Sequence, residues 1–211
     1  MASNVFGIPI TDATLRVIPE YERRARKDRA HVALEMKKAE NKDVIAREYV
    51  ENLKRQWGTG VSTLCLVYNA TGGTVTFVTH HDYWGHIGEA APYPVEIANG
   101  QWGAFLHVKT TGTATGSTAA VVYRGKNEDG ADCDWMFAWS NPWDRACWNN
   151  TVYTEIREAH HYDECNWDRV SELLYNSGLN ERGEGNGCLS YVSTESDTSP
   201  IFEAIMTLKN A

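Results

Sequence analysis

The run Cys133-Asp134-Trp135-Met136-Phe137-Ala138-Trp139 reads as a β-strand. Successive side chains on a strand point to opposite faces, so Trp135, Phe137 and Trp139 share one side while Met136 and Ala138 share the other. One side belongs to the core, and the run alone does not say which. Just upstream, Asp129-Gly130 is a turn signal, and Ser117 to Tyr123 is a second β-rich run leading into it.

Outward from this pair the same texture repeats. Ser62 to Tyr68 and Thr74 to Thr79 flank Asn69-Ala70-Thr71-Gly72-Gly73, which reads as a hairpin loop. Val95 to Ala98 and Gln101 to Lys109 flank Asn99-Gly100, which reads as a second hairpin. Thr151 to Arg157, Cys188 to Val192 and Ile201 to Leu208 complete the strands. Short strands with regular turn signals predict a mainly β protein, an antiparallel β-sandwich. One short helix interrupts its C-terminal half. Asn166 is placed to cap it, Trp167, Val170, Leu173 and Leu174 give its apolar face, and Gly178 is placed to stop it. Residues 178–187, rich in Gly, Asn and Glu, read as a mobile loop.

The N-terminal side differs. Residues 1–17 read as extended and irregular, and Pro19 falls where a first helical turn would begin. From Glu20 to Gln56 there is no Gly or Pro. Val32, Met36 and Ala39 form one apolar stripe, Ile45, Tyr49 and Leu53 another, and Asn41 to Asp43 separate them, which predicts two helices or one bent helix. The stripe is narrow and the rest charged, as in a helix that docks on a sheet or a partner. Gly58-Thr59-Gly60 marks the change of texture, so the expected division is a helical extension over 1–58 and a Trp-rich sandwich over 59–211.

Charge follows this division. Residues 1–58 carry twelve basic and nine acidic residues, and residues 59–211 carry eight and nineteen, within a net charge of −8. An acidic body repels phosphate backbones, so no nucleic-acid partner is expected. No apolar run approaches the length of a membrane span, and Met1 to Thr14 lack the pattern of a secretory signal. A cytoplasmic protein with its five cysteines as free thiols is expected.

The eight tryptophans are the loudest chemical feature, six of them between Trp84 and Trp148. The segment from Ser140 to Asn150 is a loop by its Pro, Asn and Asp content, yet it holds Trp143, Arg145 and Trp148. Aromatic faces with a cation suit a sugar face or a choline-type head group. A loop folded back to plug the end of the sandwich fits the same residues. Tyr83, Trp84 and His86 form a second segment of this kind. These six residues are the candidate ligand contacts. His80-His81-Asp82 with His86 is a poor metal set because neighbouring strand residues point apart, and His160-His161 with Asp163, Glu164 and Cys165 shares the problem unless a loop relaxes it; solvated turn residues are the favoured reading of both. No catalytic motif, metal or cofactor is expected, and the glycines of 183–187 lack the lysine and the helix start of a phosphate cradle.

Several runs carry a resemblance. Leu64 to Gly72, Asn99 to Val108, Ala120 to Gly125, Asp132 to Met136, Ala138 to Trp143 and the opening Val5 to Ile10 resemble the plant 23 kDa jasmonate-induced proteins over nearly the whole chain. That implies a stress- or hormone-induced plant protein without assigned enzymatic activity. The order of Trp-rich strands, Pro-Trp loop and Trp-Asn-x-Thr strand start is more distantly similar to aegerolysins and to actinoporin-like, nakanori-type sandwiches. That similarity implies sphingolipid-type membrane recognition through the aromatic loops. Actinoporins make pores with an amphipathic helix, and the charged helix here departs from that pattern.

The expectation is therefore a binding module for a lipid head group or glycan. The alternatives are a structural protein that pairs with a partner or a second copy through its N-terminal helix, and a metal-dependent enzyme.

Overall fold

The computed structural model describes residues 4–18 and 25–211. In chain order the strands are β1 (Val5–Phe6), β2 (Ser62–Ala70), β3 (Val75–Trp84), β4 (His86–Ile87), β5 (Glu96–Ile97) and β6 (Trp102–Val108). They continue with β7 (Ser117–Lys126), β8 (Asp132–Asn141), β9 (Thr151–Glu158), β10 (Asn180–Gly185), β11 (Cys188–Thr194) and β12 (Ile201–Leu208). The α-helices are α1 (Asp12–Leu15), α2 (Arg26–Glu35), α3 (Lys42–Trp57) and α4 (Trp167–Tyr175). One sheet runs β1-β6-β2-β12-β11-β10, with β4 also on β6, and the other runs β5-β3-β7-β8-β9.

The two sheets face each other over a core that contains Phe105, Tyr123, Trp135, Phe137, Trp139 and Phe202. Met136 and Ala138, on the other face of β8, are also fully buried, under Val170 and Leu174 of α4. Both faces of this strand are therefore interior. The same holds for β2, whose Cys65 and Val67 face the second sheet while Leu64, Leu66 and Tyr68 lie beneath the helices. A strand covered on both faces is apolar at nearly every position, and β2 is buried along its whole length.

α2 and α3 lie on the outer face of β2 and β6, separated at Ala39–Asn41, where Glu40 and Asn41 take positive φ. Two rings beneath them supply polar handles for free carbonyls near the end of α2. Tyr68 Oη donates to Ala33 O at 2.6 Å, and Trp102 Nε1 donates to Lys37 O at 3.1 Å.

Several expectations are corrected. Ile45 does not face the sheet; it is 48% exposed, and the buried stripe of α3 is Lys42, Ala46, Val50 and Leu53. Small Ala46 lets the helix approach the sheet, whereas Ile45 would hold it away. Neither predicted hairpin at 69–73 or 99–100 is one, because β2 and β6 lie in one sheet and β3 and β5 in the other. Both turns cross between sheets. At Asn99-Gly100 only Gly100 has positive φ, whereas a two-residue type I′ hairpin needs it at both positions. That condition is met at Asn186-Gly187, which joins β10 to β11. Residues 180–185 of the predicted mobile loop are thus a strand. One pairing also departs from the antiparallel pattern, since β12 runs parallel to β2. The predicted helix start at Pro19, and Glu20 to Arg24, lie outside the described residues.

Candidate functional site

At the end of the sandwich where β3 and β8 finish, a groove of about 820 Å³ opens between three segments and a helix. Tyr83 and Trp84 come from β3, Ala114 to Gly116 from the loop before β7, and Pro142, Trp143, Asp144 and Trp148 from the loop after β8. α4 adds Glu172 and Tyr175. Trp84 and Trp143 are each 53% exposed, Trp148 60% and Tyr175 40%. Tyr175 and Trp148 face each other with ring centres 6.2 Å apart.

Local chemistry explains why these rings stay out of the core. Asn141 and Asn150 are the two feet of the loop, and both are buried. Asn141 Nδ2 donates to Ser62 O and Thr198 O, and Asn150 Nδ2 donates to Glu195 O and Asp197 O, at 2.8–3.0 Å. Between the feet, Ala146 N donates to Asp144 Oδ1 and Trp148 N to Asp144 O, both at 3.1 Å, which closes a compact turn. With its ends and turn fixed by polar bonds, the loop presents Trp143 and Trp148 outward. Trp84 is aimed by a bulge in β3 between Asp82 and Trp84, followed by Gly85 at φ +93. A Cβ on Gly85 would collide with Val108 O.

Tyr83 has a second role. Its Oη donates to Trp167 O at 2.6 Å and holds the start of α4 beside the groove, and burial pushes its phenol pKa upward, keeping it a neutral donor. His81 stacks on Trp167 at 5.0 Å, and Asn166 Oδ1 accepts from Arg169 N.

Four of the six sequence candidates thus share one groove: Tyr83, Trp84, Trp143 and Trp148. The other two do not. The Arg145 guanidinium turns away and donates to Thr198 Oγ1 at 3.2 Å. His86, beyond the Gly85 kink, lines a separate groove of about 420 Å³ with Gln56, Trp57 and Glu89. The groove lining carries two carboxylates, Asp144 and Glu172, and no Lys, Arg, His or Cys. Tyr175 and both carboxylates were outside the sequence candidates. The signal for Tyr175 was its place off the buried Val170–Leu174 face of α4.

Among the described residues, no group of three or more His, Cys, Asp and Glu is placed to hold a metal. A polar chain was also missed. Fully buried His107 has Nδ1 at 2.8 Å from Ser117 Oγ and Nε2 at 3.3 Å from Asp82 Oδ1, and Ser117 Oγ lies 2.8 Å from Thr63 Oγ1. With the carboxylate as acceptor, Nε2 carries the proton and Nδ1 accepts from Ser117. Ser117 is fully buried, so this chain offers no exposed nucleophile and acts as an internal strut.

The Nakanori-like protein family model matches residues 6–209. The chain is similar to the 23 kDa jasmonate-induced protein of Hordeum vulgare, 45% identical over 194 residues and covering 90% of each chain. It is also similar to the jasmonate-induced protein homolog of Atriplex canescens, 31% identical over 115 residues, which are 54% of this chain and 60% of the relative. The solved lipid binding protein Nakanori superimposes with a TM-score of 0.86 at 33% identity, covering 96% of this chain and 98% of that one.

Proposed function

The chain belongs to the Nakanori-like protein family, and we propose from that premise that it is a non-enzymatic, stress-induced lipid-binding protein whose aromatic groove takes a choline-type head group. Two points support the class: a jasmonate-induced relative matched over 90% of its length, and a lipid-binding structural neighbour matched over 98%. The groove supports the head group. Aromatic faces attract a cation, and each such contact adds about 0.5–2 kcal/mol. Asp144 and Glu172 add negative charge, and no basic side chain lines the groove to neutralise it. An anionic head group would meet repulsion there. A bare sugar would use the rings and leave the carboxylates without a counter-charge. The observation that carries the reading is this pairing of half-exposed rings with two carboxylates.

No helix of the described residues is long and apolar enough to cross a membrane. The free cysteines support a reducing, cytoplasmic setting. Self-association through the N-terminal helices has less support, because the buried stripe of α3 packs on its own sheet.

The test is vesicle co-sedimentation with phosphatidylcholine or sphingomyelin against phosphatidylglycerol. Trp143→Ala and Trp148→Ala are each expected to weaken binding to choline lipids roughly tenfold while leaving the melting temperature unchanged. Equal binding to both vesicle types, or full binding by the double variant, would overturn the reading.

A further inference from the structure

We propose that Cys133 and Cys188 are a redox-active pair that peroxide converts into an inter-sheet disulfide, locking the end of the sandwich opposite the aromatic groove. Cys133 is the second residue of β8 and Cys188 the first residue of β11, so the pair spans the two sheets. Both side chains are buried in the same core cluster, and the two carbonyls they bond to belong to turns joined through Asn127, which accepts from Ala131 N at 2.8 Å and donates to Asn186 O at 3.1 Å. Each donates weakly to the carbonyl two residues before it, Cys133 to Ala131 O and Cys188 to Asn186 O.

The backbone draws the sheets together at this corner. Gly185 pairs with Cys188, and Glu158 pairs with Cys133. Between those pairs the backbones of β10 and β9 are so close that a Cβ on Gly185 would lie 2.5 Å from Ile156 O. The turns that precede the two cysteines are tied as well, Asn127 Nδ2 donating to Asn186 O at 3.1 Å. A disulfide needs the two cysteines brought close, and here the turns that lead into β8 and β11 are bonded to each other beside the close approach of β9 to β10.

The chemistry balances with hydrogen peroxide as oxidant. One cysteine sulfur attacks a peroxide oxygen; the S–O bond forms, the O–O bond breaks, and the departing hydroxide takes the thiol proton as water. The second sulfur then attacks the sulfenic sulfur; the S–S bond forms, the S–O bond breaks, and the second hydroxide leaves as water with the second proton. The two cysteines lose two electrons and the peroxide gains them. Burial raises both thiol pKa values, so the native pair reacts slowly, and the nearby Arg26 charge partly offsets this for Cys188.

The full chain is exposed to peroxide, quenched with catalase, alkylated in denaturant and mapped. Reduced protein takes five alkyl groups, one for each free cysteine. Oxidised protein is expected to take three, with the Cys133 and Cys188 peptides joined. Because the link closes a long loop, the melting temperature should rise by on the order of 10 °C and return with dithiothreitol. Cys133→Ala should abolish the shift, and Cys147→Ser should leave it. A second arm refolds the reduced chain with oxidised glutathione, so that access to the buried thiols is not limiting. Absence of the 133–188 link in both arms, or a link that lowers the melting temperature, overturns the proposal. Vesicle binding should not change on oxidation, since the lock lies at the far end of β8 from Trp143.

Discussion

Gly185→Ala sets the strand reading of residues 180–185 against a loop reading through the sign of its effect. Gly185 is outside the left-handed region, so its backbone accepts alanine without strain. In a loop, the change would stabilise the protein by about 0.4–1 kcal/mol, because the unfolded chain loses freedom. In the structure the new methyl would lie 2.5 Å from Ile156 O, and ordinary contact begins at 3.4 Å. β10 would have to retreat by about 0.9 Å against Ser190, whose Oγ is 2.7 Å from Thr154 Oγ1, and against the Asn127–Asn186 tie. Forced overpacking of this kind costs about 1–3 kcal/mol. After the entropic gain, a net loss of about 0.5–2 kcal/mol remains, or several degrees at about 2–4 °C per kcal/mol. Gly178→Ala is the matched control, since no atom lies within 4 Å of its new methyl and its φ is not left-handed; a small gain is expected. Urea and thermal unfolding of both variants give the answer. A Gly185→Ala protein as stable as Gly178→Ala would refute the close approach of β10 to β9.

Acidification should expose the buried histidine: desolvation outweighs the bond to Asp82 and depresses the His107 pKa below 6.5, so the unfolded chain takes that proton first. Stability is then complete above about pH 6.5 and falls on acidification towards the depressed native value, by up to about 1.4 kcal/mol per pH unit, in urea titrations. His107→Asn should remove that slope. Asp82 adds a second loss at lower pH: burial pushes its pKa up, but the His107 bond and the charges of His107, His80 and His81 together leave it below 3.8. Ile45→Glu should change thermal stability by less than about 0.5 kcal/mol, whereas Ala46→Glu, one residue on, should cost about 3 kcal/mol or more by burying a charge against the sheet. Asp134→Ala should cost about 3 kcal/mol by calorimetry, since this fully buried carboxylate takes two bonds from Arg124, at 2.7 and 2.9 Å, and one from His160 N.

The strands were legible wherever side chains pack, because β-branched and aromatic residues mark a pleated surface that will be covered. The same rule hid β10. Gly183 and Gly185 let β9 approach, and the other four residues of β10 are Asn, Glu and Arg, so the strand shows neither β-branched nor aromatic residues to mark it. Asn99-Gly100 and Asn186-Gly187 look alike in sequence, yet only the second joins paired strands; which sheet each flanking strand enters is decided by contacts far along the chain. In the candidate groove, aromatic residues in polar, turn-rich segments were readable as unusual. Arg145 and His86 were not separable from Trp143 and Trp84, because two residues along a strand share a face, and only the turn at 144–146 and the Gly85 kink send the second side chain elsewhere. Asp82, His107 and Ser117 carry no motif; β3–β7 pairing brings Asp82 and Ser117 near each other, and His107 reaches them from β6 only because the two sheets pack face to face.

The parallel pairing of β2 with β12 has a consequence for synthesis. These strands are separated by about 130 residues, and β2 cannot complete its hydrogen bonding until residues 201–208 have left the ribosome. Until then a long, apolar strand edge stands open beside a nascent chain. A translational pause or a stop codon ahead of Ile201 would release a polypeptide with that edge bare, suited to capture by a chaperone or to pairing with a like fragment.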